Sequence, residues 1–437
     1  MQDHLSTRRV FLQKGLTLLA VAPTVPAFLD QTVMAIANPE DVKRTQQPSG
    51  KDGKILVVVQ LSGGNDGLNT VVPYADGAYH RARPALAHAA ESVLKINGYL
   101  GLHPNLAPLK ELYDDGRMAI IQGVGYPNPN RSHFRSMDIW HSAAPEKELV
   151  SNGWIGRYFD NACAGCDPHV GLSIGDTMPL AMKGDRITPL SFERPEQYRY
   201  NGRDQERYLA LNTPRQEDGQ SVVSAAMPEV ASRGKPQIQI ATPADQLDFL
   251  HRTAMDAQVS SDDILRMSRN HQPRNYPATE FGNGLKTIAA MIKGGLPTRV
   301  YYVSLGGFDT HANQRGRHDQ LMRQFADGVA AFWRDMREQE NDQRVLMMTF
   351  SEFGRRVQQN ASAGTDHGAA APLFLFGRAV QKGIVGDHPS LTNLDQGDLR
   401  YGIDFRNVYA TLLQSWLDSP SKPILGQQFR TLPVIKA

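Results

Sequence analysis

Four stretches of the chain are continuously apolar and rich in β-branched residues: 54–61, 118–124, 300–305 and 345–350. A strand with one wet face alternates polar and apolar positions, so runs apolar on both faces predict strands covered on both sides. Between the last two runs, Leu321, Phe325, Val329, Phe332 and Met336 recur at helical spacing and predict an amphipathic helix over about 318–337. Strand, helix and strand in that order imply a right-handed crossover and a parallel sheet. The expected fold class is therefore α/β, with a mostly parallel central sheet and helices on both faces. Residues from about 168 to 274 are more polar and less regular. They read as an insertion over the active face of a single domain spanning 38–437, ending in a helical segment near 245–267.

The N-terminus follows another pattern. Ser6-Thr7-Arg8-Arg9-Val10-Phe11-Leu12-Gln13-Lys14 places an arginine pair ahead of an apolar stretch from Gly15 to Val25, and Ala35-Ile36-Ala37 offers a small-x-small cleavage site. This order reads as a twin-arginine signal peptide over residues 1–37, which implies the twin-arginine export machinery as a partner and a periplasmic or secreted mature protein. The apolar stretch is too short to span a bilayer and is broken by Pro23 and Pro26, so no stable membrane anchor is expected.

Composition narrows the remainder. Of 437 residues, 41% are hydrophobic and 21% charged, which describes a soluble globular chain long enough for a large core. The formal net charge of +2, without a basic run, gives no support to nucleic-acid binding. The two cysteines, Cys163 and Cys166, are read as a small local disulfide in an oxidising compartment.

Candidate chemistry lies at the strand ends. Ligands in open α/β sheets bind beyond the carboxyl ends of the strands, and three of the predicted strands deliver an acid there: Asp66, Asp309 and Glu352. Packed carboxylates repel one another unless a cation holds them. His311 and His318 follow Asp309, and Asp366-His367 follow Glu352, so the expected donor set is Asp66, Asp309, His311, His318, Glu352, Asp366 and His367. Mixed nitrogen and oxygen donors suit a divalent metal, one or two ions, with zinc or manganese preferred. Each acid alone serves equally well as a turn residue or helix cap; capping does not predict the histidines.

The segments Gln60–Thr70, Asn130–Phe134, Gly307–His311, Ser351–Arg355 and Thr365–Gly368 resemble a large bacterial family of twin-arginine-exported proteins of unknown function. That family in turn resembles, more distantly, the alkaline phosphatase and sulfatase superfamily, which implies an alkaline phosphatase-like fold and metals at the strand ends. On that resemblance Asp66 matches the first-strand aspartate, Asp309 with His311 or His318 the central ligands, and His367 the last ligand histidine. Ser132 stands where the nucleophile belongs, with Arg131 or His133 placed to contact the transferred group; it serves equally well as the N-cap of a helix opening at His133. Ser351-Glu352 departs from the Asp-His pair of phosphatases, which puts the second metal in doubt. The implied function is an exported metal-dependent hydrolase of phosphate or sulfate esters, acting on a small-molecule or polymer ester. The alternative is a non-catalytic binding or assembly module that keeps the metal fold.

Overall fold

A computed structural model describes residues 53–162, 168–187, 189–197, 261–271 and 275–436. The signal segment 1–37 and the Cys163–Cys166 pair lie outside the described residues.

The core is one nine-stranded sheet. Its strands are β1 (Ile55–Ser62), β2 (Met118–Gly125), β3 (Gly171–Ile174), β4 (Leu190–Phe192), β5 (Val300–Gly306), β6 (Val345–Phe350), β9 (Ala371–Phe376), β10 (Gly383–Val385) and β11 (Ile403–Asp404). The spatial order is β10–β2–β9–β6–β1–β5–β3–β4, with β11 also on β2. A separate hairpin joins β7 (Arg355–Gln359) to β8 (Thr365–His367). All pairings in the large sheet are parallel except those of β9, which runs against both neighbours. The apolar runs of the sequence thus became β1, β2, β5 and β6, of which β1, β2 and β6 are buried on both faces.

Two helical layers cover them. On one face α3 (Glu280–Gly294) packs with α4 (Gln314–Glu338), whose Leu321, Phe325, Val329, Phe332 and Met336 are all buried. On the other lie α1 (His133–Ser142), α2 (Trp154–Ala162) and α5 (Phe405–Thr411), where Trp140 stacks on Phe405 and Trp154 on Tyr409, each with ring centroids 4.3 Å apart. Such ring pairs add to the area they bury. The described flanks of segment 168–274 are built into the core: 171–192 supplies β3 and the edge strand β4, and the helical residues 261–270 bury Ile264 and Leu265. Of the predicted 245–267 helix, only residues from 261 onward are described.

Strand order decides what meets at the carboxyl edge. β1 is flanked by β5 and β6, with Gln60 level with both Ser304 and Phe350, so the loops carrying Asp66, Asp309 and Glu352 leave the sheet side by side. Because β9 is antiparallel, its first residue, Ala371, lies level with Val124 near the carboxyl end of β2. His367, just upstream, therefore arrives at this edge from the opposite chain direction. β2 itself leads through 126–132 into α1.

Candidate metal centre

The loops touch because Gly63 permits it. Its φ of +116° suits glycine, and a Cβ there would stand 2.5 Å from the backbone nitrogen of Asp309. Arg355, fully buried, ties the same loops together: its guanidinium donates to the carbonyls of Gly63, Gly64, Phe308 and Thr365, and to Asp309 Oδ1 at 2.8 Å.

Around Asp309 the structure gathers imidazoles. One ligand atom each from His133, Asp309 and His367 lies within 4.8 Å of the other two. His367 Nε2 stands 3.0 Å from Asp309 Oδ1, and His311 Nε2 is 3.0 Å from both of those atoms. His133 Nε2 is 3.5 Å from Asp309 Oδ2, beyond good hydrogen-bond range, and it is buried without a hydrogen-bond partner. Burial pushes the Asp309 carboxyl up, but the bond from Arg355 prevails and holds it well below the usual carboxylate range.

The outer nitrogens of two imidazoles are already committed. His133 Nδ1 lies 2.9 Å from Glu352 Oε1, and His367 Nδ1 lies 2.8 Å from the carbonyl of Arg131. Both partners only accept, so both Nδ1 atoms donate, and in the neutral ring each Nε2 presents a lone pair toward Asp309. Lone pairs aimed at a carboxylate repel it unless a proton or cation stands between them. A ligand histidine backed by a carboxylate or carbonyl is the common support of metal sites, so these residues fit a divalent ion. The Glu352 bond is also the main reason the His133 pKa is raised, against partial burial. The attraction that favours a proton there favours a metal cation too.

The expected donors do not all join this cluster. Asp66 is fully buried, and its Oδ2 takes Arg83 Nη1 at 2.6 Å and the amide of Gln314, while Oδ1 caps the N–H of Asn69. Burial raises its pKa, yet the Arg83 charge wins and the net shift is downward. Arginine thus stands where a metal was expected. His318 is buried one layer further in, with Nε2 3.2 Å from Asn65 Oδ1. Glu352 is displaced to the second rank behind His133, where Gly63 N–H also donates to it at 2.8 Å. Asp366 is exposed and bonds His311 Nδ1 at 3.3 Å and Asn360 Nδ2 at 3.2 Å.

The three residues assigned to the transferred group separate. His133 belongs to the donor cluster. Arg131 holds Asp398 through Nε at 2.8 Å and Nη2 at 2.6 Å, and its backbone carbonyl fixes His367. Ser132 is exposed at the N-cap position of α1 and makes no side-chain capping bond. Beside them opens a groove of about 660 Å³, lined by Asn128, Asn130, Arg131, Ala369, Arg400 and Tyr401 among others. Sequence reasoning missed Arg83, Gln314 and the ligand position of His133. A buried arginine seventeen residues after Asp66 carries no local pattern, but a histidine preceded by polar Asn130-Arg131-Ser132 and opening an amphipathic helix was a visible signal.

A structure of an alkaline phosphatase superfamily protein from Vibrio parahaemolyticus aligns over 91% of this chain and 78% of its own, with 8% identity and a TM-score of 0.35. The PsFucS1 sulfatase from Pseudoalteromonas sp. aligns over 93% and 75%, with 9% identity and a TM-score of 0.36. The C-terminal periplasmic domain of EcEptC from Escherichia coli, solved as a complex with Zn, aligns over 76% and 77%, with 9% identity and a TM-score of 0.32. Likenesses this loose assign no chemistry. No curated protein matches the sequence. Residues 53–422 match the profile of the family described as "Protein of unknown function (DUF1501)", and the chain belongs to that family.

Proposed function

We propose that this chain is a metal-dependent hydrolase of phosphate or sulfate esters that acts outside the cytoplasm. The observation that carries the proposal is the pair of imidazoles, His133 and His367, whose outer nitrogens are tied to Glu352 and to the Arg131 carbonyl while their inner nitrogens face Asp309. His133, Asp309 and His367 would hold the ion, with His311 alongside. A zinc or manganese ion there supplies Lewis acidity, polarising the ester and lowering the pKa of a bound hydroxyl or water.

The chain's own residues supply the rest. Ser132 is the candidate nucleophile: its hydroxyl is not spent on capping α1, and it sits between Arg131, whose carbonyl fixes His367, and His133. Its Oγ would attack phosphorus or sulfur, the ester's alcohol would leave, and water would then release the bound group from serine. Arg355 keeps Asp309 ionised. The groove beside Arg131 would take the alcohol part of the ester. The charge order of residues 1–37 supports export, and no helix among the described residues is long and apolar enough to cross a membrane.

Elemental analysis of purified protein, followed by turnover assays on nitrophenyl phosphate and nitrophenyl sulfate before and after chelation, tests the proposal. Bound zinc or manganese and a chelator-sensitive turnover are expected. A folded protein that neither holds metal nor turns over after loading overturns it and leaves the binding module.

A further inference from the structure

A second group of ligating side chains lies away from Asp309. His88, His103 and Asp319 each offer one ligand atom within 4.8 Å of the other two. His88 and His103 are buried to 3% and 1% exposure, and their rings meet edge to face with centroids 4.6 Å apart. His318 packs on the far side, 5.5 Å from the ring of His103. Two nitrogens in this group are buried with no hydrogen-bond partner, His88 Nε2 and His318 Nδ1. Native interiors rarely leave such atoms unpaired without a water or an ion to meet them.

We propose that His88, His103 and Asp319 form a second, structural divalent-metal site, of the zinc type, with His318 beside it. The donors are two imidazole nitrogens and one carboxylate oxygen, a set suited to zinc. His103 Nδ1 accepts the N–H of Asn105 at 3.0 Å, so Nε2 carries the proton that it donates to Asp319 Oδ1 at 2.8 Å. Ligation through Nε2 moves that proton to Nδ1 and gives up one capping bond, while the ring stays neutral. Asp319 is 37% exposed and leaves a path for the ion to enter.

The three donors come from separate parts of the chain. His88 follows the short helix Gly77–Ala82, His103 caps the turn Pro104–Leu106, and Asp319 sits on the first turns of α4. An ion here would staple the 77–106 region to α4, whose Gln314 bonds Asp66 and whose His318 bonds Asn65. Its expected effect is on stability and not on the Asp309 centre.

Titration of the full chain with zinc chloride alone, read by calorimetry and by elemental analysis after gel filtration, tests the site. The double variant Asp309→Asn/His367→Gln, which disables the first centre, should still retain one zinc per chain. Adding His88→Gln to it should weaken the remaining binding at least about a hundredfold, because direct ligands matter more than their outer partners. His88→Gln alone should keep one zinc and show a lower melting temperature in zinc than the native chain. A folded Asp309→Asn/His367→Gln protein that holds no zinc at saturation overturns the proposal. If the variants do not fold, cobalt(II) titration of the native chain decides: absorption from two distinct sites is expected, and saturation at one equivalent overturns it.

Discussion

Arg83 Nη1 meets Asp66 Oδ2 at 2.6 Å, with neither side chain exposed to solvent. The aspartate that follows the first strand is therefore neutralised by the protein itself, and the pair is structural. Breaking one partner of a buried ion pair leaves the other uncompensated, which costs about 3–5 kcal/mol. Arg83→Met should lower stability by that amount in denaturant unfolding and leave the metal content of the folded protein unchanged. Extra metal bound by a folded Arg83→Met protein would place Asp66 back among the ligands.

The same pair sets an acid limit. The folded-state pKa of Asp66 is depressed, so its contribution to stability is present above the unfolded carboxyl value, about 3.9, and disappears as pH falls through the folded one. Acid unfolding of the native chain should therefore shift upward in pH when Arg83 is replaced. Unfolding curves between pH 2 and 5 for the two proteins check this, and identical midpoints contradict it.

Glu352 acts through His133. Glu352→Gln keeps an acceptor for Gly63 N–H but removes the charge that supports the imidazole. Metal affinity at the Asp309 centre should fall about 10–100-fold with the fold intact. Calorimetry on the variant measures it, and an unchanged affinity would mean that His133 is not a ligand.

Ser132 makes no capping bond, so Ser132→Ala should alter stability by less than about 0.5 kcal/mol. Turnover on the responsive ester should nevertheless vanish while metal content stays. Retained turnover would transfer the nucleophile's role to water.

Replacing Arg8 and Arg9 together by lysine should leave the precursor in the cytoplasm, because the export pathway reads the arginine pair and not charge alone. Cell fractionation settles it, and normal arrival of the double-lysine protein outside the cytoplasm rejects the signal.

The central strands and α4 were legible because composition alone marks a strand buried on both faces and a helix with one apolar stripe. The acids at the strand ends were legible for the same reason, since β1, β5 and β6 are adjacent and parallel. Which carboxylate turns toward an ion was not. Asp66 and Asp309 follow similar glycine-containing loops, and the difference lies in Arg83 on one and three imidazoles on the other, two of which, His133 and His367, come from far along the chain. The direction of β9 was equally silent, because the run 371–376 is as apolar read either way.

That reversed strand has a bearing on synthesis. His367 reaches the edge that carries His133 and Asp309 only once β9 has been inserted between β2 and β6, and those strands lie far apart along the chain. Contacts of such high sequence separation form late, since loop closure has to be offset before they stabilise anything. A chain emerging from the ribosome can thus present His133 and Asp309 while still lacking the third donor. Loading of the ion would then report that the chain through β9 is in place, and a product truncated or stalled before it would remain empty.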